Sequence, residues 1–79
     1  PAVMINVLGD EGYQGQVKYE GLTKSMEIEG VKIHLYGKKI TQPFRKMGHI
    51  TVLSKTLISA LEKAEIVKQF INVKSWDKK

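Results

Sequence analysis

The 79-residue sequence contains no cysteine, which excludes disulfide bridges, thiolate-bound zinc and thiol nucleophiles. It has only two prolines and one tryptophan, and no apolar run approaches the ~20 residues that a membrane-spanning helix requires. The opening segment Ala2–Leu8 is too short for a signal peptide and lacks its basic flank. Because this composition suits a reducing compartment, we expect a cytoplasmic protein without a membrane segment.

Acidic residues are missing from the middle of the chain. Between Gly30 and Leu61 there are six lysines and arginines and no aspartate or glutamate. The chain has a formal net charge of +5, so the residues outside this window, with seven cations and eight acids, come to −1. The pairs Lys38-Lys39 and Arg45-Lys46 flank a loop that contains Pro43, an arrangement suited to binding an anion such as phosphate.

The chain length allows one domain, which would bury ~60 to 65% of its unfolded surface. In its first half, the apolar pattern predicts a buried strand at Ala2–Leu8, an irregular or short extended piece at Tyr13–Lys18, and a short helix at Glu20–Ile28 stopped by Gly30. A strand at Val31–Tyr36, a loop at Gly37–Phe44 and a strand at Met47–Leu53 are predicted next. The chain then continues with a longer helix capped by Ser54 or Thr56 and reaching Phe70, an edge strand at Ile71–Trp76 and a fraying end at residues 77–79. This order predicts a small α+β domain whose sheet is mostly antiparallel, with one short and one longer helix.

Residues suited to catalysis are few. Two histidines without cysteine provide neither a metal cluster nor a nucleophile–base pair of recognisable spacing, and no phosphate-binding glycine motif precedes a helix. We interpret His49 as holding the basic turn through a hydrogen bond to a loop carbonyl, with direct ligand contact as the alternative. His34 is interpreted as structural or solvent-facing, and Trp76 as an anchor that packs on the core or on a neighbouring domain.

Two strings carry a family resemblance: Val31-Lys32-Ile33-His34-Leu35-Tyr36-Gly37-Lys38, and Pro43-Phe44-Arg45-Lys46-Met47-Gly48-His49-Ile50-Thr51-Val52. Together they closely resemble the C-terminal domain of the ATP-grasp carboxyaminoimidazole ribonucleotide synthases of purine biosynthesis. Met4–Gly9 resembles the segment that follows the catalytic domain in that family. The resemblance covers almost the whole chain, so we predict that residues 1–79 are a single C-terminal domain, a fragment of a larger enzyme, with a β-rich, half-barrel-like fold.

The resemblance implies a parent enzyme that is an ATP-dependent carbon–nitrogen ligase. Such an enzyme uses ATP, magnesium and bicarbonate, through carboxyphosphate, to carboxylate the exocyclic amine of aminoimidazole ribonucleotide. Its nucleotide and magnesium ligands lie in an upstream ATP-grasp domain, the expected partner, so no catalytic or metal-binding residue is expected here. The resemblance assigns substrate binding, through the ribonucleotide phosphate, to Lys38, Arg45 and Lys46, with Tyr36 positioning the loop.

One part of the loop departs from the family pattern. Many relatives read Arg-Pro-Gly-Arg-Lys, whereas this chain reads Gln42-Pro43-Phe44-Arg45-Lys46, which loses one charge and one flexible residue. The difference predicts a stiffer and less basic loop in which Arg45 and Lys46 are retained.

Two other functions remain open at this point. A free-standing basic module could bind nucleic acid through the acid-free window, but only Tyr36 and Phe44 are interleaved with its cations as stacking side chains. Alternatively, the domain serves packing alone and its cations stay solvated. A homodimer through an apolar face left uncovered in the isolated fragment is a further possibility.

Overall fold

A computed structural model describes residues 1–76 and contains two three-stranded antiparallel sheets and two helices, which confirms the predicted α+β class. The elements are β1 (Ala2–Leu8), β2 (Gly15–Glu20), α1 (Leu22–Met26), β3 (Val31–Leu35), β4 (Ile40–Thr41), β5 (Lys46–Leu53), α2 (Leu57–Phe70) and β6 (Asn72–Ser75). The fraying predicted for residues 77–79 lies outside the described residues. Within residues 1–76, no helix is long and apolar enough to cross a bilayer.

The first sheet has the strand order β1-β5-β3, so β5 lies in the middle and pairs antiparallel with both neighbours. The alternation predicted for β3 is confirmed, since Lys32 and His34 are exposed whereas Val31, Ile33 and Leu35 are half-buried. The strand predicted at Ala2–Leu8 is confirmed, but the prediction that it is buried is wrong for most of its residues. Met4 is 68% exposed and only Val7 is fully buried, because α2 packs against one face of this sheet alone.

The second sheet has the order β4-β2-β6. β6 confirms the predicted edge strand, and it pairs with β2 so that Val17 lies opposite Ser75. Of the two alternatives predicted for Tyr13–Lys18, an irregular segment or a short extended piece, the extended one is confirmed by strand β2. The two-residue strand β4, which pairs with Gly15 and Gln16, lies inside the segment predicted as loop. Two residues are too few to show a period, so only the pairing defines this strand.

Helix α2 supplies one side of the core that joins the two sheets. The Thr56 hydroxyl caps its start by accepting a hydrogen bond from the Ser59 backbone N–H at 3.1 Å, so Thr56 is the cap of the two predicted. Small residues on its buried face allow a close approach to the strands. The buried core consists of Val7, Met47, Ile50, Val52, Ala64, Val67 and Val73.

Two details differ from the prediction. The helix expected over Glu20–Ile28 covers only five residues: Gly21 provides no side-chain cap at its start, and the backbone bonds Glu27 N–H to Lys24 and Ile28 N–H to Ser25 tighten its end into turns. Trp76 is 64% exposed, so the first predicted alternative, packing on the core, is wrong, and packing on a neighbouring domain stays a prediction. The register of β6 directs Val73 and Ser75 inward, which places Trp76 on the outer face.

Candidate functional site

The basic loop, defined as residues 37–45 between β3 and β5, is held by backbone contacts with Gly9 at the end of β1. The Phe44 N–H donates to the Gly9 carbonyl and the Gly9 N–H donates to the Arg45 carbonyl, both at 2.8 Å. A side chain at Gly9 would collide with the Gln42 carbonyl, so this close approach requires glycine. The base of the loop is therefore fixed to the first sheet, and β4 fixes its middle to the second.

Lys38 and Arg45 use their side chains inside the loop region. The Lys38 ammonium donates to the Lys46 carbonyl at 2.7 Å, and the Arg45 guanidinium donates through Nη1 to the Ile40 carbonyl at 3.1 Å. A carbonyl dipole orients a cation but does not neutralise it. Arg45 also has four other N–H groups available in its planar fork, the geometry that matches phosphate oxygens.

Lys46 owes its exposure to an irregularity in β5. Gly48, Ile50 and Val52 face the core, and strict alternation would direct Lys46 the same way. The register between β1 and β5 shifts between Val7 and Leu8, so that Met47 is fully buried and Lys46 is exposed. A β-bulge of this kind commonly redirects a side chain at a functional site. The sequence prediction of a strand beginning at Met47 contains no sign of it.

The loop cations are not balanced by carboxylates. Within residues 1–76, the ion pairs are confined to Lys18, Glu20, Lys74, Glu65 and Lys68. Lys38, Lys39, Arg45 and Lys46 take no part in any of them. The described part of the chain also contains no group of three or more His, Cys, Asp or Glu side chains that could hold a metal ion. The local electrostatics therefore favour an anionic ligand.

Tyr36 and the two histidines form a contact group, here called the His–Tyr cluster (His34, Tyr36 and His49). The Tyr36 hydroxyl and His49 Nδ1 share a hydrogen bond of 3.0 Å, so the interpretation that His49 bonds to a loop carbonyl is wrong. His34 and His49 lie directly opposite each other in the β3–β5 register, with rings stacked at a centroid distance of 5.0 Å and an angle of 5°. Sequence alternation places these residues on one face, but only the register brings the histidines together.

The predicted site residues are partly brought together. Lys38 contacts two of the other predicted site residues. Its ammonium donates to the Lys46 carbonyl and lies 5.8 Å from the centre of the Tyr36 ring. Arg45 contacts the Ile40 carbonyl instead, and no described contact joins its side chain to the other three. Lys38 and Lys39 also line a depression of about 240 Å³ between β2 and the start of the loop. Enclosed ligand pockets usually measure roughly 300–1,000 Å³, so this depression is smaller than a typical ligand pocket.

Phe44 is the residue of the loop whose backbone conformation is unusual for a residue other than glycine. It is the one non-glycine residue of the described chain with a positive φ, at 64°, and its side chain is 66% exposed. A bulky residue in this left-handed region is strained by about 1–2 kcal/mol. The hydrogen bond from the Phe44 N–H to Gly9 holds the backbone in place.

Residues 2–63 match the family model for the phosphoribosylaminoimidazole carboxylase C-terminal domain. The crystal structure of N5-carboxyaminoimidazole ribonucleotide synthetase from Thermotoga maritima is similar to this chain with a TM-score of 0.91 and 51% sequence identity, covering 95% of this chain and 21% of that one.

Two relatives of known activity also align. The chain is 37% identical over 71 residues to N5-carboxyaminoimidazole ribonucleotide synthase from Synechocystis sp., covering 86% of this chain and 18% of the relative. It is 39% identical over 56 residues to phosphoribosylaminoimidazole carboxylase from Ogataea methanolica, covering 71% of this chain and 10% of the relative. The chain thus spans about a tenth to a fifth of the length of the proteins it resembles.

Proposed function

This chain belongs to the family of phosphoribosylaminoimidazole carboxylase C-terminal domains, and on that premise we propose that it is the substrate-side domain of an ATP-dependent enzyme that carboxylates aminoimidazole ribonucleotide. In this proposal Lys38, Arg45 and Lys46 bind the ribonucleotide phosphate and Tyr36 positions the loop. The observation that supports it most directly is a cationic loop that is rigidly anchored yet carries no balancing carboxylate within residues 1–76.

The domain contributes binding and not chemistry. ATP, magnesium and bicarbonate would be handled by an upstream ATP-grasp domain, since the described residues include no carboxylate or histidine group able to hold a metal. ATP supplies the phosphoryl group that activates bicarbonate, and no step of that reaction is assigned to a residue of this chain. The small size of the depression beside Lys38 fits a site completed by that upstream domain.

A surface for such a partner is available. Helix α2 exposes Leu57, Ile58 and Leu61 along one part of its length. Exposed apolar residues at helical spacing favour burial against another surface. The upstream domain is the proposed occupant, and the homodimer predicted from the sequence is the alternative arrangement.

Replacement of Arg45 tests the proposed phosphate contact. In the full-length enzyme, Arg45→Ala should raise the KM for the ribonucleotide roughly tenfold or more, because a charge-assisted hydrogen bond is lost. The kcat should change little, since a phosphate remote from the reacting amine contributes uniform binding. Lys68→Ala, at a surface ion pair on α2, is the control and should leave both constants unchanged. A raised KM for ATP with an unchanged ribonucleotide KM would contradict the assignment.

Salt dependence separates this proposal from nucleic-acid binding. A single ribonucleotide phosphate gives a shallow dependence of affinity on salt, whereas a polyanion that contacts several cations gives a steep one. Titration of single-stranded RNA against the full-length enzyme at physiological salt should show no micromolar binding. Micromolar affinity with a steep salt slope would instead support a nucleic-acid-binding module.

A further inference from the structure

The two histidines of the His–Tyr cluster have no role in the proposed function, although they lie on adjacent strands of the first sheet and contact Tyr36, the residue proposed to position the loop. The contacts of the cluster form a continuous series: His34 stacks on His49, His49 is hydrogen-bonded to the Tyr36 hydroxyl, and the Lys38 ammonium lies over the Tyr36 ring. The Tyr36 backbone N–H also donates to the Met47 carbonyl at 2.9 Å, so the main chain of Tyr36 is tied to β5. The histidines therefore hold the side chain of a residue whose backbone is already fixed.

We propose that His49, supported by His34, is a positioning residue for Lys38. By holding the Tyr36 ring beneath the ammonium, it keeps Lys38 in the orientation that binds the ribonucleotide phosphate. A lysine side chain has high rotamer freedom that is lost on binding, and a lysine held in advance loses less of it. This inference rests on the proposed function, because it assigns Lys38 to the phosphate.

The charges around the cluster argue against a metal site at the two histidines. On β3 the neighbouring charged residues are Lys32 and, just after the strand, Lys38, while β5 contributes Lys46. On β1 the residue opposite His49 is the neutral Asn6. Since every charged neighbour is a cation, a divalent metal would be repelled, and the Nδ1 atom of His49 is already bonded to Tyr36. The cluster is thus suited to organising a cationic side chain beside an anionic ligand.

The experiment measures ribonucleotide KM and kcat in the full-length enzyme for His49→Leu, alone and combined with Lys38→Met. His49→Leu should raise the ribonucleotide KM about three- to tenfold, the loss expected when one side chain must be ordered on binding. The kcat should stay within about twofold. In the Lys38→Met background, His49→Leu should have no further effect on KM, because its target is absent.

Two further variants distinguish positioning from general structural damage. His49→Asn can place an amide group near the position of Nδ1, so it should restore the hydrogen bond to Tyr36 and most of the KM. Tyr36→Phe keeps the ring and removes the hydroxyl, and should raise KM like His49→Leu. Thr51→Val, on the same strand two residues from His49, is the matched control and should behave as wild type.

The possible results separate the two levels of the proposal. If Lys38→Met leaves the ribonucleotide KM unchanged, the phosphate-binding role of Lys38 fails, and this inference fails with it. If Lys38→Met raises KM but His49→Leu and Tyr36→Phe do not, only the positioning role is overturned. If His49→Leu raises KM by the same factor with and without Lys38, the histidine contacts the ligand independently and the inference is wrong.

Discussion

Lysines occur in two clusters on this domain, and the two are balanced in different ways. On the outer surface of the β2–β6 pair, Glu20 lies 3.1 Å from the Lys74 ammonium and 3.7 Å from that of Lys18. Lys18 also lies 4.9 Å from the centre of the Trp76 ring. In the basic loop, by contrast, the contacts of the Lys38 and Arg45 side chains within residues 1–76 are with backbone carbonyls and, for Lys38, with an aromatic ring.

This difference separates lysines that stabilise the fold through ion pairs from cations that are proposed to bind a ligand. The hydrogen bond from Lys74 lowers the pKa of the Glu20 carboxyl, and the same bond raises the pKa of Lys74. The charges of Glu20 and Lys74 are therefore paired with each other. In the basic loop, carbonyl groups orient Lys38 and Arg45 without neutralising their charge, which is what the proposed phosphate site requires.

The largest expected effect comes from a substitution at Gly9, whose backbone hydrogen bonds hold the basic loop but not the balanced lysine cluster. Gly9→Ala would drive a Cβ atom into the Gln42 carbonyl and should lower the free energy of unfolding by about 3 kcal/mol, measured by urea denaturation. Gly12→Ala is the control, since no atom lies near its added Cβ and its cost of about 1 kcal/mol comes only from its positive φ of 91°. Equal losses in the two variants would show that the Gly9 approach is not tight.

The two lysine clusters can be compared directly by matched substitutions. Lys46→Met in the full-length enzyme should raise the ribonucleotide KM roughly tenfold, or about 1.4 kcal/mol, because the exposed ammonium is proposed to bind phosphate. Lys74→Met removes a lysine that is already paired with Glu20, and should leave that KM unchanged. The distinction drawn between the clusters would be lost if both substitutions changed KM by the same factor.

A smaller effect should come from the backbone of Phe44. Phe44→Gly relieves the positive φ of 64° and removes little packing, because the ring is exposed, so it should raise the free energy of unfolding by about 0.5–1 kcal/mol. Phe44→Ala removes the ring but keeps the strain, and should be no more stable than wild type. Equal stability of the alanine and glycine variants, in thermal or urea unfolding, would show that the loop is unstrained.

The smallest effect concerns the balanced cluster and depends on pH. Since the pKa of Glu20 is lowered in the folded state by Lys74, its stabilising contribution is present above the unfolded pKa and is lost as the pH falls through the folded pKa. Glu20→Gln should therefore be less stable than wild type at neutral pH, and this difference should vanish in acid. Urea denaturation across a pH series measures it, and high salt should reduce it because the pair is exposed.

The matched control for that series is Glu11→Gln, an exposed carboxylate with no ion pair in the described part of the chain. Its stability should follow wild type at every pH. If Glu11→Gln and Glu20→Gln showed the same pH dependence, the pairing with Lys74 would make no contribution to stability.

Several elements could be predicted because their signal is local. The alternation over Val31–Leu35 separates core from solvent within five residues, and the spacing in Leu57–Phe70 with a hydroxyl before it defines a capped helix. The acid-free window likewise depends on composition alone. The family resemblance added the candidate roles of Lys38, Arg45, Lys46 and Tyr36, and those roles remain predictions.

Other features could not be predicted because they depend on pairing between distant residues. Strand β4 exists through its bonds to Gly15 and Gln16, and the bulge that buries Met47 arises from the register with β1. Trp76 does not pack on the core, the first of its two predicted positions, because pairing with β2 directs it outward. The predicted hydrogen bond of His49 to a loop carbonyl is replaced by one to the Tyr36 hydroxyl, which lies thirteen positions away along the chain.

The composition, the local charge and most of the strands and helices of this domain follow from its amino-acid sequence by itself. Each of these features depends on residues within a few positions of one another. The outward direction of Lys46, the contact of Lys38 with the Tyr36 ring and the stacking of the two histidines follow from the folded chain. A one-residue change of strand register reverses the face on which a side chain lies, and no local pattern reports that register. For this reason the cations could be listed from the sequence, whereas their arrangement in space is decided by the pairing of strands in the two sheets.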